Sequence, residues 1–218
     1  MDFNNHNYII VIIGLHFSHP PVNLLVALGE ATNARVKDLS APTGSLMLPA
    51  LTLVLGGARS GKSAYAESLM ATATGPIYLA TAEAADDEMN ARIRSHQRRR
   101  GPAWTTVEEP VDLVGALALH SRPGQPILVD CLTLWLSNVM LAGLAVDEAI
   151  DRLVEALPAM PGPLVLVANE VGLGIVPDNA LARAFRDHAG RLNQAVAARA
   201  HRVLFIAAGL PLFLKDLK

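Results

Sequence analysis

The sequence predicts an α/β protein with a mainly parallel sheet and helices on both faces, and three observations carry that expectation. Short apolar runs (51–55, 76–81, 126–129, 163–168, 201–208) alternate with segments that read as helices. Hydrophobic residues make up 51% of the 218 and charged residues 17%, which suits a sheet buried on both sides or a sizeable oligomer interface. Between one apolar run, Leu51-Thr52-Leu53-Val54-Leu55, and the helix formers from Ala64 to Ala71 stands Gly56-Gly57-Ala58-Arg59-Ser60-Gly61-Lys62-Ser63. That is G-x-x-x-x-G-K-S in a strand–turn–helix context, the pattern of a phosphate-binding loop.

In chain order, Tyr8 to Phe17 is apolar but too short to span a bilayer, and nothing basic precedes it. Residues 1–50 form an unassigned extension with three open readings: an added strand and short helix, a poorly ordered arm, or a start placed upstream of Met47. Residues 1–46 are dispensable for activity on this reading. Residues 51–218 form the main domain. Its first helix follows Ser63, with Ala64, Leu69 and Met70 available for an inward face. A strand is expected near 76–81, and a helix from Asp86 to Arg100, acidic at its start and basic at its end. Then come a strand at 104–107, a helix at 110–120, a strand at 126–130, helices at 132–141 and 146–157, a strand at 163–168, a long helix at 179–200 and a closing strand at 201–208.

The glycines allow backbone N–H groups to surround phosphate oxygens. Lys62 would reach the outer phosphates and the Ser63 hydroxyl would ligate Mg²⁺. Asp130 ends an apolar strand, where a carboxylate partners the P-loop serine on Mg²⁺; it also suits the N-cap of the next helix. Cys131, the single cysteine, reads as a small buried residue and excludes an internal disulfide. His96 shares a helix face with Arg92, Arg99 and Arg100. Those cations favour the neutral imidazole, a competent nucleophile or base beside a polyphosphate. The same spacing also fits a solvated basic helix, or a nucleic-acid patch at Arg98-Arg99-Arg100. Net charge of −2 and a pI near 6.4 weigh against nucleic acid and against anionic membranes. Asn169 to Asn179 follows an apolar strand at the edge where open α/β sheets bind ligands. It suits a substrate lip, or a plain loop needing Gly172 and Gly174 for its turns.

GGARSGKS, the stretch from Ile77 to Pro110, LVDCLTLWLSN, and NEVGLGIVPDNALARAFRDHAGRLNQ together resemble one family closely. It is the bifunctional adenosylcobinamide kinase / adenosylcobinamide-phosphate guanylyltransferase of cobalamin biosynthesis, matched over about residues 51–218, with Leu55 where the family more often has Thr. The resemblance implies a RecA-like P-loop fold, a cytoplasmic homotrimer and two reactions. In the first, ATP or GTP phosphorylates adenosylcobinamide. In the second, His96 attacks the α-phosphate of GTP, and the resulting GMP–histidine passes GMP to adenosylcobinamide phosphate. Nucleotide contacts are implied for Gly56 through Ser63, Ala80, Thr81, Ala82, Gln97, Arg98, Arg99, Arg100, Glu108 and Asp130, with Ser63 and Asp130 as the metal pair. Glu108 can only accept, so a guanine N–H or ribose hydroxyl would suit it. The alternatives are a P-loop kinase without guanylylation and a RecA-like nucleic-acid-dependent ATPase.

Overall fold

Among the described residues, seven strands form one sheet, in the order β3-β2-β4-β5-β1-β6-β7. The computed structural model describes residues 48–82 and 102–217, all within the unit Met47–Lys218. The strands are β1 (Leu51–Gly56), β2 (Ile77–Ala80), β3 (Thr105–Glu108), β4 (Ile127–Asp130), β5 (Leu164–Asn169), β6 (Arg202–Ala207) and β7 (Leu210–Asp216). Neighbours run parallel throughout, except for the antiparallel β6–β7 hairpin.

The centre of the sheet is where the sequence is most continuously apolar. All six residues of β1 are buried between β5 and β6, as expected for a parallel strand covered on both faces. Side-chain alternation divides the core in two. Leu51, Leu53, Leu55, Leu164 and Leu166 join α2 (Leu113–His120), α3 (Leu132–Leu141), α4 (Val146–Ala156) and α5 (Ala180–Arg199) on one face. Val54, Tyr78, Leu128, Val165 and Ile206 meet α1 (Lys62–Ser68) and Met70 on the other. The expected inward face of α1 is corrected in detail. Ala64 is exposed and Leu69 only partly covered, while Lys62, Ala66 and Met70, each four residues apart, point inward.

Helix boundaries have local causes. α2 starts at Leu113 rather than 110 because the Glu109 carboxylate accepts the Val111 and Asp112 N–H groups, and Asp112 then caps Gly115. Asn179 accepts from the Ala182 N–H at the start of α5. The expected helix 86–100 lies outside the described residues. β7 was not anticipated. It follows Ala208-Gly209, both at positive φ, a two-residue turn that matches the twist of a hairpin. Its Leu210, Leu212, Phe213 and Leu214 are exposed along the sheet edge.

Candidate active site

The carboxyl ends of the parallel strands gather most of the described candidate residues. The register aligns Gly56 with Asn169 and Ile206, and aligns Asp130, Ala80 and Glu108 in a row across β4, β2 and β3. β5 separates the P-loop strand from the strand ending in Asp130. α1 lies against β1, β5 and β4, so the helix that carries Ser63 reaches over β5 toward the carboxylate.

The loop from Gly56 to Ser63 is held from beneath. A Cβ at Gly56 would meet the Ile206 carbonyl oxygen and Ser60 Oγ, each at 2.6 Å. Gly61 sits at φ 96° with Gly209 close behind it, and the Gly209 N–H donates to the Ser60 carbonyl at 2.8 Å. The β6–β7 turn therefore braces the P-loop. Ala58, Arg59 and Gly61 face solvent, whereas Lys62 is only 9% exposed. Lys62 Nζ donates to the Gly57 carbonyl at 3.1 Å, which keeps the ammonium folded over the cradle. Ser60 Oγ is buried without a partner among the described residues.

Asp130 is half-buried, and its Oδ2 accepts the Tyr78 hydroxyl at 2.9 Å. Its alternative reading as a helix cap does not hold: Cys131 occupies the cap position of α3 and no side chain caps it. Ser63 and Asp130 are hard oxygen donors of the kind Mg²⁺ takes, with phosphates and water completing its shell. Among the described residues no cluster of three or more His, Cys, Asp or Glu offers a cage for a metal. Cys131 is 5% exposed. Burial first, and then the neighbouring Asp130 charge, push its thiol up to about 11, with Lys62 pulling weakly the other way. It is an inert packing residue.

Thr81 is fully buried, and its polar groups are engaged structurally. The hydroxyl donates to the Cys131 carbonyl at 2.7 Å and accepts from the Cys131 N–H at 2.9 Å, while the Thr81 carbonyl accepts from Asn138. Of positions 80–82, Ala82 is the most open. Glu108 is exposed at the end of β3, whereas the adjacent Glu109 is committed to its capping turn. His96, Gln97, Arg98, Arg99 and Arg100 lie outside the described residues.

The loop after β5 resolves into separate roles. The Asn169 N–H donates to Thr133 Oγ1 at 2.7 Å and its carbonyl accepts from Asn193, yet its side-chain Oδ1 is buried without a partner among the described residues. Glu170 accepts the Gly172 N–H, and Asn179 is the α5 cap. Neither Gly172 nor Gly174 has positive φ, so the turns do not require these glycines, contrary to the expectation. Leu173 and Ile175 are 81% and 97% exposed. A groove of about 650 Å³ runs beside α5, lined by Gly172, Arg186, Asp187 and Arg191. Arg191 is paired with Asp147 and Asp151 there, and the groove does not include the P-loop. Tyr78 and the Ala208-Gly209 turn are the site features that sequence reasoning missed. Of these only the turn had a readable signal, a two-residue break between apolar runs.

A braced glycine loop after a central parallel strand, with its lysine, its serine and a strand-end carboxylate one strand removed, defines a P-loop nucleotide-binding protein of RecA-like arrangement. The chain matches the family model for cobinamide kinase / cobinamide phosphate guanyltransferase over residues 52–214 and belongs to that family. It is 48% identical over 166 residues to the bifunctional adenosylcobalamin biosynthesis protein CobP of Pseudomonas aeruginosa, covering 75% of this chain and 96% of that protein. It is 40% identical over 180 residues to the bifunctional adenosylcobalamin biosynthesis protein CobU of Salmonella typhimurium, covering 76% and 99%. A solved structure from Pyrococcus horikoshii OT3 shares the fold, with TM-score 0.50 at 9% identity, covering 78% of this chain and 88% of that one. No helix among the described residues is long and apolar enough to cross a membrane.

Proposed function

We propose that this protein catalyses both reactions of its family in the cytoplasm. In the first, the aminopropanol hydroxyl of adenosylcobinamide attacks the γ-phosphorus of ATP or GTP, releasing the nucleoside diphosphate. In the second, a neutral His96 nitrogen attacks the α-phosphorus of GTP and pyrophosphate leaves. A phosphate oxygen of adenosylcobinamide phosphate then displaces the histidine, giving adenosylcobinamide-GDP and free His96. The observation that carries this reading is the family match across residues 52–214, on a chain whose P-loop and Asp130 share one sheet edge.

Gly56 through Ser63 hold the polyphosphate, and Lys62 takes up charge on its outer oxygens. Ser63 and Asp130 would hold Mg²⁺, which supplies charge neutralisation on the phosphates when bound. Arg98, Arg99 and Arg100, with Gln97, steady the phosphates during attack by His96, while Ala82 and Glu108 lie toward the nucleoside. Thr81 contributes by fixing the Asp130–Cys131 strand end. The protein works as a homotrimer, and the exposed apolar residues of β7 support a packed edge; light scattering of the purified protein reads the state directly.

The test is incubation with α-³²P-labelled GTP. Wild type takes up an acid-labile, alkali-stable label, and His96→Ala takes up none. Label persisting in that variant removes His96 as nucleophile, and no label on wild type leaves a plain P-loop kinase.

A further inference from the structure

We propose that Asn138 is a positioning residue for nucleoside recognition: its side-chain amide ties the end of β2 to the loop leaving β3 and so fixes where Glu108 stands beside Ala82. This role rests on the reading of Ala82 and Glu108 as lying toward the nucleoside. Trp135 and Asn138 are three residues apart on α3 and share a face of it. Trp135 Nε1 donates to the Val111 carbonyl at 2.8 Å. One turn on, Asn138 Nδ2 donates to the Thr81 carbonyl at 2.8 Å and to the Pro110 carbonyl at 3.1 Å. An amide nitrogen carries two hydrogens, so one atom can serve both acceptors.

Both acceptors lie just past the end of the strand pairing. Ala80 and Glu108 are register partners, and the Glu109 N–H donates to the Ala80 carbonyl at 2.9 Å. Pro110 then has no N–H with which to continue that ladder. On the other side of β2, the Thr81 N–H donates to the Asp130 carbonyl, after which the chain of β4 turns into α3. The Asn138 amide takes over at the point where both ladders stop.

Each segment is already held on its own side. The Thr81 hydroxyl exchanges hydrogen bonds with the Cys131 backbone, and the Glu109 carboxylate accepts the Val111 and Asp112 N–H groups. What the amide adds is a link from one segment to the other, one residue before Ala82 and two after Glu108. The Glu108 side chain itself is exposed. Its value as an acceptor depends on distance and angle, and those follow from how far the ends of β2 and β3 splay.

The experiment titrates full-length protein and Mg²⁺ with a non-hydrolysable GTP analogue and, separately, with inorganic tripolyphosphate, which offers the phosphates without the nucleoside. Asn138→Ala should weaken the GTP analogue about tenfold, the worth of one hydrogen bond to a charged group, and leave tripolyphosphate unchanged. Glu108→Ala should weaken the analogue at least as much, and the double variant no further, because Asn138 acts through Glu108. Asn138→Leu, which keeps the volume without the donors, should repeat the selective loss and covers the case in which Asn138→Ala folds poorly. Equal loss of both ligands in the two Asn138 variants makes the amide a plain support of the fold and overturns the positioning role, as does unchanged affinity for both. Unchanged analogue affinity in Glu108→Ala overturns the nucleoside role of Glu108 itself. A double variant weaker than Glu108→Ala alone overturns action through that carboxylate.

Discussion

The loop after β1 and the loop after β5 leave the same edge of the sheet from adjacent strands, joined where the Glu170 N–H donates to the Gly56 carbonyl. Both carry two or more glycines, and they use them differently. In the P-loop, Gly56 has no room for a Cβ and Gly61 needs positive φ, so the fold itself demands glycine. In the second loop a Cβ at Gly174 would meet nothing among the described residues, and one at Gly172 only the side-chain carboxylate of Glu170. The neighbouring Leu173 and Ile175 stand in solvent. Glycine required by the protein's own packing marks a cradle built before the ligand arrives. Glycine and exposed apolar side chains that the packing does not require mark a surface whose reason lies in what approaches it.

Substitutions can break that contrast. The largest effect belongs to Lys62→Ala, which should lower both kinase and guanylyltransferase rates by about 10²-fold or more, measured in separate assays; loss of one rate alone would mean the cradle serves only one reaction. Gly56→Ala should come next, destabilising by about 1–3 kcal/mol through its clash with the Ile206 carbonyl. At about 2–4 °C per kcal/mol for a chain this size, a melting curve resolves that change. Gly172→Ala and Gly174→Ala should each stay within about 0.5 kcal/mol of wild type while changing KM for the corrinoid acceptor. A melting shift as large as that of Gly56→Ala would erase the distinction between the loops.

The smallest effect reports the tight side of the site from below. The folded state holds the Cys131 thiol protonated up to about 11 against an ordinary value of 9.0. The native preference is for the neutral form, so its stabilisation is complete below pH 9 and is lost as pH rises toward 11. Ellman's reagent at pH 8 should react slowly with native protein and rapidly after denaturation. Fast native reaction would show that the end of β4 opens.

Much of the fold was legible because the strands are uniformly apolar and the helices are bounded by residues with clear roles, such as Asn179. The P-loop and Asp130 were legible because their chemistry depends on order along the chain. What was not legible depends on register. Nothing in the spacing of Tyr78 and Asp130 announces that β2 and β4 are neighbours, yet that adjacency puts hydroxyl on carboxylate. The same adjacency puts the Thr81 hydroxyl on the Cys131 backbone. β7 escaped because Pro211 and the mixed burial of an edge strand blur the alternation that would reveal it.

The central position of β1 also has a consequence during synthesis. On the ribosome the P-loop strand emerges first of the seven, while its flanking partners start only at Leu164 and Arg202. Until then Leu51 to Leu55 is an apolar ribbon with both edges unpaired, a template for wrong pairing. The brace from Gly209 arrives later still. A nascent chain should therefore be unable to hold nucleotide until the β6–β7 hairpin closes. Variants that weaken the hairpin should then appear in cells as insoluble protein rather than as soluble, inactive enzyme.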